Sequence, residues 1–292
     1  MRDVKIEITE IYNEVMYIFR KVLLPLAVLL VFLMSASSFA YGLRIGALAK
    51  LNSDTDEYAS FYRTWNAGNL PAEHGKDDRF VFFDSTMSML MALGNGDVDE
   101  IDLPGIVGAY VMNMRPDFEI KHVVKTKPEY LAFGFLRNKG EDLCAKINGA
   151  LKEIKSDGTL ADMYKRYLKV DGTVESVEFM KFSDADTIRV AVTGDLPPID
   201  FVGPDGRAAG FNTALIAEIG RQLKINIRLV YVNSGARSAA LVSGRADTVF
   251  WYQLTENGDK RFDVPNDVIV SEPYFDWDSF VHIGMKYRYN DD

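Results

Sequence analysis

The sequence predicts an α/β protein of two doubly wound lobes with a ligand cleft between them. Three observations carry that reading. Leu43–Ala47 and Thr187–Val192 are both short β-rich runs, each followed by a polar turn and then a helical pattern. Ser88–Asp99 and Arg237–Asp247 share a second design, in which a helix meets a glycine stop and a strand opens on aspartate. The 292 residues, 48% of them apolar, are enough to bury one large core or two medium ones.

In chain order the first element is a leader. Arg20 and Lys21 precede an apolar run, Val22–Met34, and small residues follow, with Ser38 and Ala40 at the −3 and −1 positions of a cleavage site. This is the pattern of a secretory signal peptide over residues 1–40, and the run is shorter than the ~20 apolar residues of a membrane span. An uncleaved anchor and a buried helix stand as alternatives. Residues 1–15 are acidic for a signal, so Met16 is a second candidate start. No cysteine sits at the cleavage site to carry a lipid. The mature protein is expected to be soluble, and periplasmic or secreted.

Residues 43–130 read as one lobe and 188–286 as the other. Between them, Tyr130–Arg137 is an apolar strand. Apolar residues at helical spacing (Leu143, Ile147, Leu151, Ile154, then Leu160, Met163, Tyr167) predict two helices separated by the turn Ser156–Thr159. Residues 131–168 are therefore a strand plus closing helices, and 169–187, polar and without a clear period, are a linker.

The formal net charge of −9 and pI near 5.0 argue against a nucleic-acid partner, which needs a basic face. His74, His122, His282 and the single Cys144 form no ligand cluster in the sequence, so no metal or other cofactor is expected. One cysteine leaves no internal disulfide.

Residues 187–285 resemble the first lobe of the amino-acid (family 3) solute-binding proteins of ABC transporters, which are type II periplasmic binding proteins. The resemblance rests on Gly194-Asp-Leu-Pro-Pro198 with Asp200-Phe201, Asp205-Gly206, Gly210-Phe-Asn212, Ala240–Asp247 and Ser271-Glu-Pro-Tyr-Phe275. Residues 43–168 resemble the second lobe and closing helices through Met91–Asp99 and Leu151–Leu160. In that family the first lobe comes first. The resemblance thus implies a circular permutation, with a fragment of a tandem pair and a lobe-exchanged dimer as the competing explanations.

The resemblance also directs attention to four ligand loops. The first carries Asp195, but Ile199 stands where relatives offer a stacking aromatic. The second, Asn233–Arg237, lacks the usual aromatic near Ser234, while Arg237 is placed to meet an anion or to be a solvated helix-start residue. The third presents Trp251, Tyr252, Gln253 and Thr255. The family's carboxylate-gripping arginine would fall near Gly258, where only Lys260 and Arg261 are at hand, and the two aromatics could equally be core residues. The fourth comprises Asn52 and Ser53, Asp84 and Ser85, read as ligand contacts or plain helix caps, and Asp102 near the position of an amino-group partner. The expected function is a non-catalytic receptor capturing a small polar solute, an amino acid or similar, for ABC-type uptake. Its partners would be that ligand and membrane transporter subunits, and the chain a monomer. An enzyme of dehydratase type and a membrane-held sensory domain are the rivals.

Overall fold

A computed structural model describes residues 42–49, 56, 60, 78–254 and 264–286. The expected leader, Asn52, Ser53, Thr255, Lys260 and Arg261 lie outside the described residues. The architecture is mixed α/β around one large sheet in the order β2-β1-β3-β12-β4-β10-β5-β9, with β11 also on β4.

Two parallel groups make up this sheet. In the first, β1 (Arg44–Leu48) lies between β2 (Arg79–Phe83) and β3 (Glu100–Pro104). In the second, β5 (Thr187–Val192) lies between β9 (Asn226–Tyr231) and β10 (Thr248–Leu254). Two long antiparallel strands join them: β4 (Phe118–Leu136, 19 residues) and β12 (Phe275–Met285, 11 residues). The amino half of β4 pairs only β12, whereas its carboxyl half pairs β10 and β11 (Val268–Val270). Between the halves, Trp277 pairs Glu129 and Ser279 pairs Lys125, so two residues of β12 span four of β4. A small second sheet is formed by β6 (Asp195–Leu196), β7 (Asp200–Val202) and β8 (Ala208–Ala209).

Helix α1 (Thr86–Asn95) starts where the Ser85 hydroxyl accepts the Ser88 amide at 3.1 Å. It stops at Gly96, whose φ of 76° places its N–H on the carbonyls of Ala92 and Leu93. Helix α2 (Gly105–Met114) packs on β12, with Gly108 against Val281. Helix α3 (Glu141–Ser156) has acids in its first turn and Lys155 in its last, as the helix dipole favours. It buries Ile147, Leu151 and Ile154, and α4 (Thr159–Tyr167) buries Leu160 and Met163. Both pack on α5 (Phe211–Leu223) of the second group. The short α6 is Arg237–Val242. Residues 168–186 hold no helix or strand apart from the bridge Ser176–Ala209.

The matched segments of the sequence have matched structures. In the first group Arg44 grips Asp99 with Nη2 at 2.7 Å and Nε at 3.1 Å, and donates to the Gly96 carbonyl at 2.8 Å. In the second, Arg189 grips Asp247 at 2.6 and 2.9 Å and donates to the Gly244 carbonyl at 2.5 Å. In both groups a strand-one arginine bidentately ties the aspartate that opens strand three, and fixes the glycine turn before it.

One apolar cluster runs through both groups, from Met89, Ile101 and Val107 to Phe133, Phe211, Trp251 and Ile283. A second collects Ala132, Val249, Tyr252 and Val268. The Tyr252 ring lies on Gly134, so a Cβ there would come within 2.0 Å of it, and Ser238 holds the phenol at 2.9 Å. Gly134→Ala is therefore expected to lower the unfolding free energy by about 1–3 kcal/mol. Chemical denaturation measures this, and an unchanged midpoint would show that the ring moves freely.

Candidate functional site

The carboxyl ends of β1 and β3 in one group, and of β5 and β10 in the other, approach each other where β12 crosses. Loops at such ends present N–H groups that no strand uses, which is why open α/β sheets bind ligands there. A cavity of about 30 Å³ lies at this junction, lined by Asp102 and Leu196, Trp251 and Gln253, Trp277 and Phe280, with Leu48 and Pro104 at its side. That is room for about one water, so an organic solute needs the two groups to part. Larger open grooves exist elsewhere. One of about 730 Å³ runs past Thr187–Arg189 and Ala246–Asp247, at the amino ends of β5 and β10, and past the first turn of α3.

Trp251 is the most constrained residue of the site. It sits in β10 with φ 36°, inside a register shift between Val249 and Tyr252. A positive φ is unusual for a bulky side chain and costs on the order of 1–3 kcal/mol. The surroundings enforce it. The Tyr274 hydroxyl lies 3.2 Å from the Trp251 amide, which donates to it, and Arg237 donates to the Trp251 carbonyl. The guanidinium also lies 4.1 Å from the centroid of the indole ring. The indole is 5% exposed, and among the described residues its Nε1 has no hydrogen-bond partner. A buried donor of this kind is costly until something accepts from it.

The other expected residues fall into three places. Asp102 and Gln253 line the cavity beside Trp251. Asp195, Asp84, Ser85 and Ser234 meet at a seam between the two groups: Asp195 Oδ2 accepts from the Thr86 amide at 2.7 Å, and the Asp84 carbonyl accepts from the Ser234 amide at 3.1 Å. Arg237 and Tyr252 point into the protein. Arg237 is 1% exposed and donates to the Ser234 carbonyl at 3.0 Å, while Tyr252 is fully buried against Gly134. Ile199, at the expected place of a stacking aromatic, is a core residue.

Several neighbours of the cavity were not anticipated from sequence. Trp277 and Phe280 follow the Tyr274-Phe275 segment; the alternation of Phe275 and Trp277 with Asp276 and Asp278 is a signal that marks Trp277, and Phe280 lies out of that phase. Asp102 has its own buried surroundings: His282 Nε2 is 3.7 Å from its Oδ1, and His282 Nδ1 is 2.9 Å from Glu100 Oε2. Burial opposes a charge on His282, yet the bond to Glu100 and the nearby Asp102 and Asp78 charges hold its pKa above the usual imidazole range.

Residues 188–279 match the family model of the bacterial extracellular solute-binding proteins, family 3. The matched segment runs from β5 into the first half of β12, and so covers the second parallel group, the seam loops Asp195–Pro198 and Ser234–Gly235, and Trp251. No curated protein sequence matches the chain significantly. Among solved structures, the chain is similar to the ligand-binding component of an ABC-type import system from Staphylococcus aureus with zinc bound (14% identity, TM-score 0.43, 83% of this chain and 65% of that one). It is also similar to the periplasmic aliphatic sulphonate binding protein of Escherichia coli (14%, 0.37, 84% and 65%), and to a putative L-cystine ABC transporter protein from Listeria monocytogenes (12%, 0.35, 85% and 84%). The chain spans 65% of the length of the first two. Among the described residues no helix is long and apolar enough to cross a membrane, and no group of three or more His, Cys, Asp or Glu could hold a metal ion.

In the family-matched loop, Asp200 is fully buried and burial pushes its pKa up to about 6, against the bonds it accepts from Thr193. Its unfolded value is lower, so folding takes up a proton between about pH 4 and 6. The stability that protonated Asp200 contributes is complete below pH 4 and lost as pH rises through 6. Asp200→Asn is expected to remove that loss, so that wild type falls by roughly 3 kcal/mol relative to the variant between pH 4 and 7. Denaturation of both proteins across this range checks it; parallel curves would contradict the assignment.

Proposed function

We propose that the chain is an extracytoplasmic solute-binding receptor that captures a small polar solute, an amino acid or similar, in the crevice between the two parallel groups, and hands it to ABC-type transporter subunits. It acts by binding, without catalysis, as a monomer in the periplasm or outside the cell, after loss of the leader over residues 1–40. The observation that carries the reading is the strained Trp251, a buried indole with an unmet donor at the cavity where the strand ends of both groups converge. The match of residues 188–279 to a family of solute-binding proteins supports the same reading.

Each parallel group is then one lobe, and β4 and β12 are the connections on which the lobes open and close. We also infer a permuted order. The chain passes through the β1–β3 lobe first, crosses by β4, packs α3 and α4 on α5, and returns by β12. The family-matched lobe comes second.

The expected ligand set is Asp102, Trp251 and Gln253 at the cavity, Asp84, Ser85, Asp195 and Ser234 at the seam, with Arg237 and Tyr252 supporting Trp251 from behind. Thermal-shift screening with amino acids, short peptides and organic acids should yield a solute that stabilises the protein increasingly with concentration and is recovered unchanged. Trp251→Ala should abolish that shift, and Trp251→Phe, which keeps a ring but no N–H, should weaken it about tenfold. Retention of the full shift by Trp251→Ala would place the binding site elsewhere.

A further inference from the structure

The seam beside the cavity is built as a contact of its own. Asp195, on β6 of the second group, reaches the first turn of α1 in the first group. There it accepts from the Thr86 amide at 2.7 Å, and the Met87 amide is near enough to favour the ionised carboxylate. A carboxylate at this end of a ten-residue helix meets unsatisfied N–H groups and the positive end of the dipole. The Ser234 amide on the Asp84 carbonyl, at 3.1 Å, is a second bond across the same seam. Two further observations mark it as a place for polar guests: the hydroxyls of Thr86 and Ser234 are each 98% buried, and among the described residues neither has a hydrogen-bond partner.

We infer that Asp195 is a built-in latch and selectivity element, whose carboxylate shuts the crevice on the α1 amides and holds the place that an anionic group of a guest would take. The charges around it point the same way. Asp200 lies behind Asp195 close enough for their charges to interact, and Asp84 lines the facing loop. The guanidinium of Arg237 is turned inward onto the Ser234 and Trp251 carbonyls. A guest anion entering here displaces a tethered carboxylate and meets like charge, so the crevice selects solutes that are neutral or cationic at this end. The selectivity rests on the crevice being the binding place, but the latch does not.

The test needs no solute. Hydrogen exchange of the Thr86 amide is followed in wild type, Asp195→Ala and Asp195→Asn, with sodium acetate as the probe anion. Exchange in Asp195→Ala should be about tenfold faster or more, the loss expected for a charged hydrogen bond. In Asp195→Asn, whose carboxamide oxygen still accepts, it should be intermediate. Acetate should slow exchange in Asp195→Ala and leave wild type unchanged. If Asp195→Ala fails to fold, Asp195→Ser keeps a polar residue in place but is too short to hold the Thr86 amide. The same acceleration is expected there. Equal exchange in wild type and the folded variant, or acetate without effect on Asp195→Ala, would overturn the latch whatever the solute screen returns.

Discussion

Strands β4 and β12 run antiparallel from one parallel group to the other, and the rest of the structure depends on that crossing. Each group alone is a three-stranded parallel sheet with helices beside it. The crossing pair extends both groups into one sheet and carries an apolar cluster through the junction. It also sets where function can reside. The pair fixes which ends of β1, β3, β5 and β10 face each other, and these are the carboxyl ends, where backbone donors remain for a guest. The altered register between Trp277 and Ser279, where β12 spans extra residues of β4, falls at this crossing.

The site shows a division of labour that follows from burial. Arg237 would be expensive as an isolated buried charge, but carbonyls from Ser234 and Trp251 and the faces of two aromatic rings surround it. In return it holds the Trp251 carbonyl where a strained φ puts it, and Tyr274 holds the amide. The indole is thereby fixed at the cavity, which in a receptor of the proposed kind would lower the ordering cost of binding. The carboxylates take a different role. Asp195 spans the seam, Asp200 lies buried behind it, and Asp102 borders both the cavity and the His282 pair.

Much of the fold was legible because it is local. The helix, glycine stop and aspartate of Ser88–Asp99 and Arg237–Asp247 appear as read, since φ-positive glycines and helical spacing leave marks within a dozen residues. The turn at Ser156–Thr159 between α3 and α4 follows from the same cues. The full length of β4 was not legible. Its amino half half-buries Glu119 and Lys121 while leaving Ile120 and Val123 exposed, so no apolar period marks it, and only pairing with β12, over 150 positions later, makes it a strand. The site was legible by region rather than by role. Trp251, Gln253 and Asp102 stand at the cavity, but the inward turn of Arg237 depends on a bulge in β10, and the bond between Asp195 and Thr86 joins residues 109 positions apart. No short window of sequence encodes either.

A receptor of the proposed kind holds its guest where the crossing strands bring the two parallel groups together. A crystal structure of the protein with the solute that stabilises it most tests this directly. Density is expected in contact with Trp251 and Asp102, touching both groups at once. Density confined to the groove at Thr187–Arg189, or held by one group alone, would contradict it.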